Sequence, residues 1–266
     1  MAQLQEIRTN VQANWPSGYH SSHLTDSKTD ALINETQRWI CRGVLVLPDR
    51  KIQHNFSWLK QEVERSTVDR QRCYSLPTAG DSNWTEINSG VVRRFKSEIT
   101  LELVTHDNYR IPLTKTHKEA IENTRDFVRI TGYGIPECYC IDEDYIWLYK
   151  LPEHDFNNGQ AWTMNFEFYG FLADLVENND TNWITNYYPE ILERGATALG
   201  FHYGLDTDQF LYWENLKNEL FLEMVSEDQD KELRNIEEGM RPASGQELGG
   251  HKVRGELYQS PDWYSS

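Results

Sequence analysis

The 266-residue chain has no apolar run near the roughly 18–20 residues that cross a bilayer, so no membrane-spanning helix is expected. Its opening residues, Met1-Ala2-Gln3-Leu4-Gln5-Glu6, carry neither a basic region nor an apolar stretch, so no secretory signal is expected there. Cysteine is scarce and unevenly placed, with four in the whole chain. That argues against a disulfide scaffold and for a reducing compartment during synthesis. Positive charge is also short: 26 Lys and Arg stand against 42 Asp and Glu, a formal net charge of -16. Broad binding to a phosphate backbone needs clustered cations, so this balance disfavours it.

Aromatic side chains are plentiful. They make up 12 % of the chain, with nine Trp and fourteen Tyr. Aromatics bury large areas and suit interfaces, because one end of a Tyr or Trp can stay wet.

Residues 1–24 are polar, contain the turn signature Trp15-Pro16-Ser17-Gly18, and are expected to form an irregular arm. A helix is expected from Thr25 or Asp26, with Ala31, Leu32, Thr36, Trp39 and Ile40 at helical spacing, ending near Gly43 and Pro48. Residues 25–59 thus form an N-terminal helical part. The runs Glu62–Val68 and Cys73–Pro77, around Asp69-Arg70-Gln71, predict a β-hairpin. Two more hairpins are predicted, at 98–104 with 109–113 and at 137–141 with 145–149. A short helix from Thr114 or Thr116 to Asn123 and a strand over 162–169 complete an antiparallel β domain spanning 60–175. Residues 181–236 predict an αα-hairpin. One helix runs from Thr181 to Tyr203 and a second from Asp208 to Ile236, capped by Asp206 or Thr207, with Phe210, Trp213, Leu216, Leu220 and Met224 on one face. The fold class is therefore α+β. Residues 237–266 are rich in Gly and Pro and cannot bury a core alone. They carry Leu257, Tyr258, Trp263 and Tyr264, the candidate interaction residues of a docking arm.

The search for chemistry finds no constellation. There is no nucleophile elbow, P-loop, dinucleotide fingerprint or helical zinc motif. Gly132-Tyr133-Gly134 lacks a third glycine and reads as a plain loop. Asp142-Glu143-Asp144 reads as a solvated turn, because no calcium-loop spacing follows. Cys138 and Cys140 share one strand face and read as buried structural thiols. His20 and His23 form a loose pair near Asp26 and Asp30, and no metal site is assigned to them. Arg93-Arg94-Phe95-Lys96 is the one concentrated basic stretch and reads as a solvated loop. No catalytic residue, metal or cofactor is expected, and the chain does not read as an enzyme.

The order of elements carries a resemblance. Phe56-Ser57-Trp58-Leu59 precedes a strand ending Tyr74-Ser75-Leu76-Pro77. Then follow Gly134-Ile135-Pro136-Glu137-Cys138-Tyr139, the run Tyr145–Pro152, Asn182-Trp183 leading to Pro189-Glu190, and the small-residue stretch Gly195-Ala196-Thr197-Ala198-Leu199. Over roughly residues 25–235 this series resembles the head-to-tail adaptor, or connector, proteins of tailed bacteriophages. The chain departs from that pattern in its 24-residue arm, in the enlarged segment 78–97 and in the tail after Glu237.

The resemblance implies a bundle of the N-terminal helix and the C-terminal αα-hairpin, with the β domain inserted and a flexible C-terminal arm. It implies a structural virion protein of the neck, made in the host bacterial cytoplasm. Its copies would form a homo-oligomeric ring, usually a dodecamer, beneath the portal protein. Its other partner would be a downstream tail or nozzle protein, and no membrane is involved. Genomic DNA would pass through the channel without sequence-specific binding, since an acidic lumen repels phosphate. Two alternatives stand beside it. One is a tail-tube or neck-completion protein further from the capsid. The other is a carbohydrate-binding β-sandwich module, with Trp84, Trp147 and Trp162 as stacking platforms.

Overall fold

The computed structural model describes residues 2–16, 25–87, 92–119 and 132–240, with side chains to Lys231. The chain is α+β and divides into two units, 1–228 and 229–266. Among the described residues the second unit holds only the last three turns of the longest helix.

Helix α1 (Leu4–Ala13) overturns the expected irregular arm. Leu4, Ile7 and Val11 fall on one face and are fully buried, followed by Trp15. Gln3 supplies no side-chain cap. Instead the amides of Leu4 and Gln5 donate to the carbonyls of Asp180 and Asn178. The orphan donors of the first turn are thus satisfied by a distant loop, so no local cap marks the start. Helix α2 (Asp26–Arg42) begins on Thr25, whose hydroxyl accepts from the Lys28 amide, and ends on Gly43 at φ 67°. A Cβ at Gly43 would lie 1.8 Å from the His54 carbonyl oxygen, so both backbone angle and space require glycine. Arg8 grips Asp30 through two bonds of 2.7 Å and joins α1 to α2. A small hairpin follows, β1 (Val44–Val46) with β2 (Lys51–Gln53).

The expected single helix over 181–203 is two. Helix α3 (Trp183–Tyr187) carries a capping box between Asn182 and Thr185. Helix α4 (Pro189–Tyr203) starts with proline at its first turn, where no intrahelical donor is lost. Tyr188, at φ -140° and ψ 52°, separates them. Helix α5 (Thr207–Met240) is capped by Asp206, which accepts from the Gln209 amide. Buried Leu4 and Ile7, Ile33 and Ile40, Ile191 and Leu192, and Phe221 and Met224 form one hydrophobic core. The small residues of α4 permit close approach within the chain. A Cβ at Gly195 would sit 2.3 Å from Thr36 Cγ2, and one at Gly200 the same distance from the Trp15 ring.

A second core lies between two sheets. Strands β3 (Lys60–Ser66), β5 (Thr85–Glu86), β6 (Arg94–Val104), β7 (Arg110–Pro112) and β13 (Thr163–Phe171) build a five-stranded antiparallel sheet in the order β5-β3-β13-β6-β7. Strands β4 (Cys73–Ser75), β8 (Thr114–Lys115), β10 (Cys138–Asp142) and β11 (Tyr145–Tyr149) build the other, β4-β11-β10-β8. Val63, Leu101, Met164, Phe166 and Phe168 meet Tyr74, Tyr139, Ile146 and Leu148. The hairpins β6–β7 and β10–β11 are as expected.

The 62–77 hairpin is not formed, because β3 and β4 belong to different sheets. Val63 and Tyr74 both point into the core from opposite sides, and one hairpin cannot satisfy both. The Tyr74 hydroxyl ties the crossing loop down, bonding Val68 and Gln71. Thr114 opens no helix: it pairs in parallel beside β10. Lys118 and Glu119 are helical, and the rest of that expected helix lies outside the described residues. Gly132-Tyr133-Gly134 is no plain loop either, since β9 (Tyr133–Gly134) pairs in parallel with β12 (Leu151–Pro152).

Two substitutions test this account. Ile7→Ala should destabilise the protein by about 2–5 kcal/mol in urea denaturation, whereas a free arm would lose nothing. Gly43→Ala should cost about 1–3 kcal/mol or more, from backbone strain and the clash with His54.

Candidate interaction surfaces

The helical and β parts meet at an aromatic junction. Trp58 stacks on Trp183 with centroids 4.4 Å apart and planes 8° from parallel. Phe56 stacks on Trp58 and meets Phe221 edge-on. A carboxylate closes the junction. Buried Asp228 of α5 accepts from the Ser57 amide at 2.9 Å and the Ser57 hydroxyl at 2.5 Å, and pairs with His54 Nε2 at 2.8 Å. Ser, His and Asp thus come together, but the carboxylate sits between the other two. An activated serine needs the imidazole on its hydroxyl, so this trio is a latch and not a nucleophile. Sequence reasoning missed it, because its members lie up to 174 positions apart.

The basic stretch 93–96 is not a solvated loop. Arg93 donates to the Trp58 carbonyl, and Lys96 donates to Asn55 Oδ1 at 2.9 Å. Burial lowers the pKa of both. These cations brace the same junction. Cys41 lies beside them, fully buried, and desolvation pushes its thiol up to about 11.

Among the described residues, exposed apolar side chains occur on both parts. At the α4–α5 turn Tyr203, Leu205, Leu211 and Tyr212 face solvent, Leu205 at 90 % exposure and with φ 61°. A cleft of about 410 Å³ opens nearby, where Trp39, Phe210 and His202 form walls and Lys217 lies inside. Burial lowers the Lys217 pKa, and its ammonium sits 3.7 Å from the Trp39 ring centroid and 2.6 Å from Glu214. That cation is satisfied within the cleft. On the β part, Val68, Tyr109 and Phe156 outside the strands and Tyr133 on β9 are exposed, on segments that are bonded to one another. Buried Asn157 receives the His106 amide and donates to the Gln160 and Ala161 carbonyls. The His154 amide bonds Asp69, and Arg70 pairs with Glu153 and lies over the Tyr133 ring. These segments hold their apolar side chains in fixed positions.

The expected interaction residues Leu257, Tyr258, Trp263 and Tyr264 lie outside the described residues, as do His20 and His23. Asp142-Glu143-Asp144 is a turn, with Lys118 on Asp142. Cys138 and Cys140 share the outer face of their sheet, where the Cys140 thiol contacts the Tyr149 hydroxyl at 3.3 Å. Trp84 and Trp162, weighed as sugar platforms, are core residues at 2 % and 1 % exposure. Trp147 is half-buried under Lys118. Among the described residues no three His, Cys, Asp or Glu are disposed to hold a metal, and no described helix is long and apolar enough to cross a membrane. No protein-family model matches the chain, and no curated protein matches it.

Asp228→Ala strands the Ser57 donors and the imidazole, and should cost roughly 3 kcal/mol in urea denaturation. Alkylation followed by mass spectrometry should label half-buried Cys73 and Cys138 first, and Cys41 and Cys140 only on unfolding. The folded protein keeps the Cys41 proton up to about 11, while the unfolded chain releases it nearer the ordinary thiol range. Stability should therefore fall as pH rises through that window, and Cys41→Ala should flatten the fall.

Proposed function

We propose that this chain is a head-to-tail adaptor of a tailed bacteriophage, a structural virion protein and not an enzyme. In this reading the N-terminal helix and the C-terminal αα-hairpin form a bundle against the portal, and the inserted β domain faces the tail. Copies close into a ring by heterologous contacts, one face of a subunit against the opposite face of the next. The observation that carries the reading is the exposure of apolar side chains on both the helical part and the β part. A subunit held between two neighbours along an axis needs such groups at each. Exposed apolar groups on bonded segments and at a helix turn suit docking better than solvation.

The charge supports the same reading. An excess of 16 negative charges gives a channel wall that DNA slides past. The polar trio that superficially suits hydrolysis is spent on holding α5. The carbohydrate-binding alternative loses two of its three platforms to the core.

The test is light scattering and negative-stain imaging of the purified chain, alone and mixed with a portal ring. Ring formation on the portal is the expected outcome. A chain that ignores portal and tail components overturns the reading. Leu205→Ser with Tyr212→Ser should weaken joining to the portal at least tenfold with folding unchanged, as should truncation after Gly239, which removes the aromatic arm.

A further inference from the structure

The cleft of about 410 Å³ beside the α4–α5 turn is walled by three helices. Trp39 of α2 and Phe210 of α5 turn half-buried rings to it, and His202 of α4 packs on Phe210 with centroids 5.0 Å apart. The aromatic surface continues past the imidazole to Tyr203, which is exposed and lies 5.8 Å from it. Aromatic groups open to water on adjoining helices mark a place where something docks.

The charges around the cleft narrow what that can be. Lys217 is spent on Glu214, and Arg38 faces Asp174 and Glu35. Arg42, exposed in the last turn of α2, has no carboxylate partner among the described residues. The open features are therefore aromatic walls and one unpaired guanidinium at the rim. They suit an aromatic side chain that follows a carboxylate.

The chain itself supplies that chemistry. Residues 255–266, outside the described residues, hold no Lys or Arg. They contain Glu256-Leu257-Tyr258 and Asp262-Trp263-Tyr264, each an acid followed by two bulky side chains. The 26 residues from 241 to 266 span up to roughly 85 Å when extended, enough to reach a neighbouring subunit.

We propose that this cleft receives the C-terminal arm of a second copy of the chain, with Trp263 against Trp39 and Phe210 and the Asp262 carboxylate on Arg42. Each copy then offers one arm and one cleft, so the contact is heterologous and passes from copy to copy. The inference goes beyond the adaptor reading and does not depend on it, since no portal is needed.

The experiment joins sedimentation velocity of the full chain with fluorescence anisotropy of a labelled synthetic peptide of residues 252–266. Self-association that grows with protein concentration, and that excess peptide reverses, is expected. The peptide should bind the full chain saturably, and Trp263→Ala in the peptide should weaken it at least tenfold. Arg42→Glu in the protein should weaken the natural peptide about fivefold, and a peptide with Asp262→Arg should regain that loss on the Arg42→Glu protein. A purely structural effect of the exposed Arg42 would not be rescued in this way. A chain that stays monomeric at every concentration, binding unmoved by Trp263→Ala, or failure of the charge swap would overturn the proposal. A chain that joins the portal while refusing the peptide overturns this inference alone. One that binds the peptide while ignoring portal and tail components overturns only the adaptor reading.

Discussion

The junction around Asp228 is the contact on which the two cores depend. A buried carboxylate is tolerable only when it is met by donors, and Ser57 and His54 supply them. The same three-residue stretch that carries Ser57 also carries Trp58, stacked on Trp183. One short segment therefore touches α3 through an indole and α5 through a hydroxyl and an amide. Arg93 and Lys96 seal the β side by bonding the Trp58 carbonyl and Asn55. Two of the stretches that carry the resemblance, 56–59 and 182–190, supply Phe56, Ser57, Trp58 and Trp183 to this contact.

Packing around the junction uses polar side chains as backbone substitutes. Asn34 of α2 bonds both the amide and the carbonyl of Leu175, and Gln37 bonds the Ala173 carbonyl. The chain leaving β13 thus has its hydrogen bonds met although it runs beside a helix. This is why α2 can bury polar residues on its inner face without penalty. It also explains why the aromatic content alone marked no interface. Most described Trp and Phe side chains are buried or half-buried, while Phe156 and the tyrosines Tyr109, Tyr133, Tyr203 and Tyr212 are exposed.

Local signals in the sequence were legible where local chemistry decides. Thr25 and Gly43 bracket α2, Asp206 caps α5, and the alternation of 98–104 and 138–149 forms hairpins. Helix α1 was partly legible. Leu4, Ile7, Val11 and Trp15 keep a helical spacing, but the polar composition and missing cap hid it. The strands at 60–77 failed for a different reason: a short polar loop permits a hairpin equally well as a crossing between sheets. The basic stretch 93–96 looked solvated because nothing nearby in sequence shows what Trp58 and Asn55 offer.

The class, α+β, both ends of α2, the start of α5, the alternating strands and the acidic balance could be read from the sequence alone. Those follow from caps, periodicity and composition, which act over a few residues. Only the tertiary structure decided which sheet each strand joins, that residues 4–13 are helical, and that Ser57, His54 and Asp228 meet. It alone placed Trp39, Arg42, His202 and Phe210 around one cleft. These depend on partners as far as 174 positions away, and on the cost of leaving a buried polar group unpaired, which no local pattern records.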